Sequence, residues 1–111
     1  MKLFRLDAMK GGWFVGDFTP TCLRTNAVEV ACKTYKAGAQ ETPHVHRVAT
    51  ELTLIAAGRV MMNDKVFTAG DIILLEPGEA ATFQVLEDTI TMVVKAPSVM
   101  GDKYPVQDGN E

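Results

Sequence analysis

No window of a dozen residues in this chain keeps its apolar side chains three and four apart, whereas two-residue alternation recurs along much of it. That property constrains the fold most, because alternation with period two marks a strand with one buried face. In Val28-Glu29-Val30-Ala31-Cys32-Lys33-Thr34, the polar Glu29 and Lys33 share one side, which turns Val28, Val30 and Cys32 toward a core. Ile90-Thr91-Met92-Val93-Val94-Lys95 repeats the idea near the C-terminus. Between them, 52–57, 60–62, 72–75 and 82–86 read as further short strands. Their boundaries are the turn residues Gly38, Gly58, Asn63-Asp64, Gly70-Asp71, Pro77-Gly78 and Glu87-Asp88. Asn63-Asp64 suits a two-residue hairpin turn, since both residues tolerate positive φ. Short strands spaced about ten residues apart predict an antiparallel sandwich or barrel.

The 111 residues suit one domain over 1–111, able to bury a core without disulfides. A net charge of −3 argues against nucleic acid or an anionic membrane as partner. Met-Lys-Leu-Phe-Arg-Leu-Asp lacks the apolar run of a signal peptide, and no stretch reaches transmembrane length. The expectation is a cytoplasmic protein whose two cysteines, Cys22 and Cys32, are reduced thiols. After Lys95, the residues Pro97, Gly101, Pro105 and Gly109 predict an irregular tail over 96–111.

The stretch from Gly38 to Gly58 carries both histidines, His44 and His46, with Glu51 five residues further on. Residues two apart on a strand share a face, so the imidazoles project together and Val45 points away. Pro43 fits a strand start. If the chain turns over 47–50 and the next strand folds back antiparallel from Glu51, the carboxylate meets the two rings. Two neutral imidazoles and a carboxylate form a ligand set for a divalent transition metal. A bare His-x-His pair, taken alone, is more simply a pair of polar residues beside a turn.

The spacing of Gly38, His44, His46, Glu51 and Gly58 resembles the first motif of the cupin superfamily, here 38–58. The segment 70–83, GDIILLEPGEAATF, resembles the second: Gly70, Asp71, Gly78 and Phe83 are in place, and Pro77 is one residue displaced. The resemblance to small single-domain bacterial cupins implies an all-β cupin fold, a double-stranded β-helix or jelly-roll antiparallel barrel. It also implies a metal inside the barrel on His44, His46 and Glu51, a small-molecule ligand entering at the open end, and a homodimer. The departure is Ala81, where the family usually carries a third histidine. Alternation turns Ala81 and Phe83 inward and Gln84 outward, Glu79 falls in a turn, and Cys32 reads as a small apolar residue. None replaces the missing imidazole.

Three ligands leave positions open for water and substrate, and iron, manganese, nickel or zinc would suit them. One carboxylate on a divalent ion leaves a positive centre, which favours an anionic chelating ligand such as a hydroxy or keto acid. The expected function is therefore isomerase, epimerase or lyase chemistry on a polar anionic metabolite such as a sugar acid or sugar nucleotide. Tyr35, Glu41 and Lys103 are the candidates for proton transfer. Two other functions suit the same residues: a non-catalytic ligand-binding or regulatory cupin, and an iron-dependent dioxygenase. The segment 95–105, with Ser98, Asp102, Lys103 and Tyr104, looks like the endings of small cupins of sugar pathways. Its functional reading has Lys103 or Tyr104 closing the barrel mouth, and its plainer reading is a solvated or dimer-packing tail. Asp71 and Glu76 read as turn residues; Trp13, Phe14 and Phe18 read first as core, with a cavity rim or a dimer face as alternatives, and Met61, Met62 and Met92 read as apolar filling before ligand contacts.

Overall fold

Two strands run much longer than the alternation suggested, and their length shapes the molecule. The computed structural model describes residues 1–106, so the end of the expected tail, with Gly109, lies outside the described residues. Two 3₁₀ turns, Leu6–Ala8 and Lys10–Gly12, precede eight strands: β1 (Trp13–Val15), β2 (Glu29–Tyr35), β3 (Gln40–Val45), β4 (Thr50–Met62), β5 (Lys65–Thr68), β6 (Ile72–Leu75), β7 (Ala81–Ala96) and β8 (Tyr104–Pro105). The expected strands 52–57 and 60–62 are one strand, β4, and 82–86 and 90–95 join as β7. Gly58 and Glu87-Asp88 are therefore not turns. The β4–β7 register shifts between Ile55 and Val60, where bulges bend the pair without ending it. Gly58 sits at this bend with φ 98°, its backbone pressed against Thr89 and Asp88. The Thr89 hydroxyl accepts from the Arg59 amide at 3.1 Å and donates to the Glu87 carbonyl at 2.8 Å, satisfying groups the bulge would strand. Asn63 and Asp64 form the expected hairpin turn, with φ of 49° and 64°, into β5, which the alternation did not mark.

β7 is the central strand. β4 runs along one edge of it; β2 pairs with its C-terminal half and β3 with its N-terminal end along the other. β4 carries β5 and β6 on its far side, β1 pairs with β2, and β8 pairs with β3. Ile55, Val60, Met62 and Val85 form the buried apolar cluster, packed by Phe67, Ile73, Leu75 and Phe83. A cavity of about 290 Å³ opens beside it, with Met62, Leu75 and Phe83 at the boundary.

The parity of β2 is the reverse of the expected one. Glu29 and Ala31 are buried, and Lys33 and Tyr35 line the cavity with Glu29. Cys32 faces the other way, toward the N-terminal turns, and both cysteines are free thiols. The inversion follows from a polar chamber inside the barrel and an N-terminal segment that covers the outside of β2. Trp13 and Phe18 line the cavity as well, so they belong to its wall rather than to the apolar core.

The segment after Ala96 is not a loose tail. Ser98 and Asp102 are buried, and the Ser98 hydroxyl donates to Glu29 at 2.7 Å while accepting from the Asp17 amide at 3.0 Å. β8 pairs with His44 and Val45, and the Arg47 guanidinium stacks 3.8 Å from the Tyr104 ring centre. This strap crosses the barrel end that carries the histidines. No helix among the described residues is long and apolar enough to cross a membrane.

The bend at Gly58 yields a stability prediction. A Cβ there would collide with the Thr89 side chain and the Asp88 carbonyl, at a left-handed φ. Gly58→Ala is expected to destabilise the fold by about 3 kcal/mol, measured by urea denaturation, whereas Gly70→Ala, which meets nothing within 4 Å, should lose clearly less.

Candidate metal and ligand site

His44, on β3, and His46, just beyond its end, lie side by side, and their rings meet edge to face with centroids 5.0 Å apart. Glu51 is the second residue of β4, and its Oε1 lies 3.3 Å from His46 Nε2. The contact is not made within a hairpin as expected: β3 pairs with β7 and β8, β4 pairs with β5, β6 and β7, and the two approach across the barrel. In the β3–β7 register, Ala81 stands directly opposite His44. The expected position of the absent imidazole is thus beside the histidine pair, on the cavity wall. Gln84 is exposed, as alternation predicts, and Glu79 accepts from the Glu76 amide at 2.9 Å to close its own turn. Asp71 likewise accepts from the Thr68 amide at 2.8 Å, a turn feature.

The protonation of the rings follows from their partners. His46, 6% exposed, points Nδ1 at the backbone carbonyl of Asp102. A carbonyl only accepts, so Nδ1 carries a hydrogen and donates it. Nε2 then faces a carboxylate, another acceptor, and the pair is satisfied only when a cation lies between them, a proton or a metal ion. The Glu51 carboxylate accordingly raises the His46 pKa above the usual imidazole value, against the opposing effect of burial. His44 Nδ1 donates to the Thr42 carbonyl at 3.2 Å, which leaves its Nε2 lone pair free, and burial lowers its pKa. Both rings are held in the tautomer whose Nε2 can ligate, with backbone carbonyls fixing the other nitrogen. The donor set suits a divalent ion. Among the described residues, no three of these side chains are drawn together as a ready-formed metal cluster.

His46 is fixed from both sides. Its carbonyl accepts from the Gly78 amide at 2.7 Å, tying the second glycine-bounded segment to the first. The Asp102 carboxylate, 4% exposed, accepts from the amides of Arg47 at 2.8 Å, Val48 at 3.2 Å and Ala49 at 2.9 Å. Burial pushes that carboxyl up, but the three backbone donors outweigh it and hold it below its ordinary 3.8.

The proton-transfer candidates share this cavity. The Tyr35 hydroxyl donates to Glu41, and Phe83 packs at 5.0 Å on the Tyr35 ring. Burial, then the Glu41 bond, raise the Tyr35 pKa far above its ordinary 10.0. Lys103 reaches the cavity from the strap. Sequence reasoning did not identify Glu29, Lys33 or Lys95 as site residues, and placed Trp13 at a cavity rim only as an alternative to the core. Lys95 pairs with Glu29 at 2.8 Å, both nearly buried, and the Trp13 ring lies 5.2 Å from Lys33 Nζ and 5.0 Å from Lys95 Nζ.

The comparisons with known proteins bear on the fold. No family model matches the chain, and no curated protein sequence matches it. Solved structures do. An uncharacterized conserved protein with a double-stranded β-helix domain from Klebsiella pneumoniae is 21% identical, with a TM-score of 0.70 over 97% of this chain and 99% of that one. An RmlC-like cupin from Shewanella frigidimarina is 20% identical, with a TM-score of 0.64 over 68% of this chain and 71% of its own. The DMSP lyase DddQ from Ruegeria pomeroyi is 15% identical, with a TM-score of 0.70 over 86% of this chain; the match spans 52% of the lyase. At these identities the likeness is one of fold, and the fold is the one the two glycine-bounded motifs led us to expect.

The buried carboxylate makes the site's stability depend on pH. Because the folded pKa of Asp102 is depressed, its contribution is complete above 3.8 and is lost as pH falls through the folded value. Asp102→Asn should destabilise the protein by about 2 kcal/mol at pH 7. The gap between the two proteins, followed by thermal melting, should narrow progressively below pH 4.

Proposed function

We propose that this chain of cupin fold is a metal-dependent enzyme of the isomerase, epimerase or lyase type, acting on a polar anionic metabolite. His44, His46 and Glu51 hold a divalent iron, manganese, nickel or zinc ion in this reading. The observation that carries it is the His46–Glu51 contact, in which a ring nitrogen whose partner nitrogen is already committed faces a carboxylate. When bound, such an ion supplies Lewis acidity to a carbonyl or hydroxyl oxygen of the substrate.

The chain's own residues supply the rest. Tyr35 stays protonated and its hydroxyl holds the Glu41 carboxylate at the cavity wall, where Glu41 takes a proton from the substrate and returns it. Lys103 offers a positive charge from the strap. Trp13, Phe18 and Phe83 limit water around the reacting atoms. That a protein of this fold is a DMSP lyase supports the lyase branch of the proposal. The other reading, a non-catalytic ligand-binding module, is favoured by one observation: Ala81 stands where a fourth ligand would complete the set.

We also propose a homodimer. The outer face of β6, β4 and β7 exposes Ile72, Leu74, Leu52 and Ile90, and a second copy offers the same surface for them to pack against. Leu74→Asp should shift the protein toward monomer in light scattering.

Metal content tests the enzyme reading. Protein purified without chelator should carry close to one equivalent of a divalent transition metal by mass spectrometry, and His46→Ala should weaken binding at least about tenfold. Ala81→His should tighten it. Wild-type protein without stoichiometric metal, unaltered by His46→Ala, would refute the reading.

A further inference from the structure

The carboxylates around the cavity are already committed. Glu29 binds Lys95 and Ser98, Glu41 takes the Tyr35 hydroxyl, Glu51 faces His46, and Glu79 closes its turn. Three cavity lysines, Lys10, Lys33 and Lys103, make no ion pair among the described residues, and of these Lys33 and Lys103 lie near enough for their charges to repel. Lys33 is half-buried, and burial lowers its pKa first; Glu41 opposes that shift, while the nearby charges of Lys103 and Lys95 add to it. An anion placed there would relieve both the desolvation and the repulsion.

A second observation falls on the same patch of wall. Thr91 stands directly opposite Lys33 in the β2–β7 register, is 1% exposed, and lines the cavity. Its hydroxyl is buried and has no hydrogen-bond partner among the described residues. Leaving a buried hydroxyl unsatisfied costs about 1–3 kcal/mol. Its neighbour Thr89, by contrast, is fully bonded. The Trp13 ring, in contact with Lys33, closes the other side.

We infer that Lys33, Lys103 and Thr91 form a carboxylate-binding subsite: two ammonium groups and one hydroxyl donate to the two carboxylate oxygens, beside the histidine pair. Lys103 follows Asp102, whose carbonyl orients His46, so the subsite and the ring are set by adjacent residues of one strap. This inference rests on the proposed function and narrows it to a carboxylic acid with a hydroxyl or carbonyl oxygen near enough to reach His44 and His46. A cavity of about 290 Å³ suits a monosaccharide acid or a smaller acid rather than a sugar nucleotide.

Trp13 is the only tryptophan in the chain and touches Lys33, so its emission reports on the subsite. The test titrates the full chain, stripped of metal with chelator and held at constant ionic strength, with galacturonate, lactate, galactose and inorganic phosphate. At least one of the two carboxylates should change the emission saturably, and galactose should not. Lys33→Met and Lys103→Met should each weaken that binding at least tenfold, Thr91→Val about threefold, and Lys33→Arg should restore most of it. Lys36→Met, at an exposed surface lysine, should leave it unchanged. His46→Ala should lose metal yet keep the fluorescence response, which separates failure of the subsite from failure of the metal site. Carboxylates that bind no better than galactose, that bind Lys33→Met equally well, or that are outcompeted by phosphate would overturn the assignment.

Discussion

Asp102 joins the two halves of the site through both of its polar ends. Its carbonyl takes the Nδ1 hydrogen of His46, which leaves Nε2 as the atom facing Glu51. Its carboxylate gathers the amides of Arg47, Val48 and Ala49, the connection that carries the chain from the histidine strand to Glu51. A loop of this kind would otherwise bury donors without partners, and the geometry of the two ligating strands would be only loosely specified. Charge-assisted hydrogen bonds from three consecutive amides fix the loop, and with it the separation of His46 from Glu51. The strap that delivers Asp102 is held at its start by Ser98 on Glu29 and at its end by the pairing of β8 with β3 and the Arg47–Tyr104 stack.

Above the apolar cluster, the barrel wall is polar by construction. On β2, Glu29, Lys33 and Tyr35 face inward, and opposite them on β7 stand Lys95, Thr91 and Thr89. Each layer sets one β2 side chain against one from β7; Glu51 of β4 continues the Glu29–Lys95 layer beyond β7, and Thr53 continues the intervening Ala31–Val93 layer. Burying the Glu29–Lys95 pair gains little stability in itself, because desolvation offsets the attraction. Its consequence is organisational. Lys95 and Glu29 occupy one another, Glu41 occupies Tyr35, Glu51 faces His46, and the cavity groups left without such a partner among the described residues include Nε2 of His44, Lys10, Lys33, Lys103 and Thr91.

The sequence made the architecture legible, and the approach of His46 to His44 and Glu51 with it, because glycines and a period-two pattern act over short range. The Asn63-Asp64 turn and the inward Ala81 and Phe83 are of this kind. The joined strands were not legible, since a glycine at a bulge and a glycine at a turn look alike until the facing strand is known; Gly58 against Thr89 is the case in point. The inverted parity of β2 failed for a related reason. Apolar residues were assigned to the interior, but this interior is a polar chamber. A clue lay in the polar residues themselves: Glu29, Lys33 and Tyr35 share one face of β2, and Thr89, Thr91 and Lys95 share one face of β7. The role of the strap was hidden because its contacts span more than fifty residues, from Asp102 back to Arg47 and from Ser98 to Glu29.

The account turns on a cation being required between His46 and Glu51 and on His44 sharing it. The most direct measurement is crystallographic: anomalous scattering from crystals grown with manganese or zinc, collected at the absorption edge of the added metal. The account predicts a single anomalous peak within coordination distance of Nε2 of both histidines and an oxygen of Glu51, with the Nδ1–Asp102 bond intact. No peak there, or a peak that leaves His44 or Glu51 unbound, would contradict it.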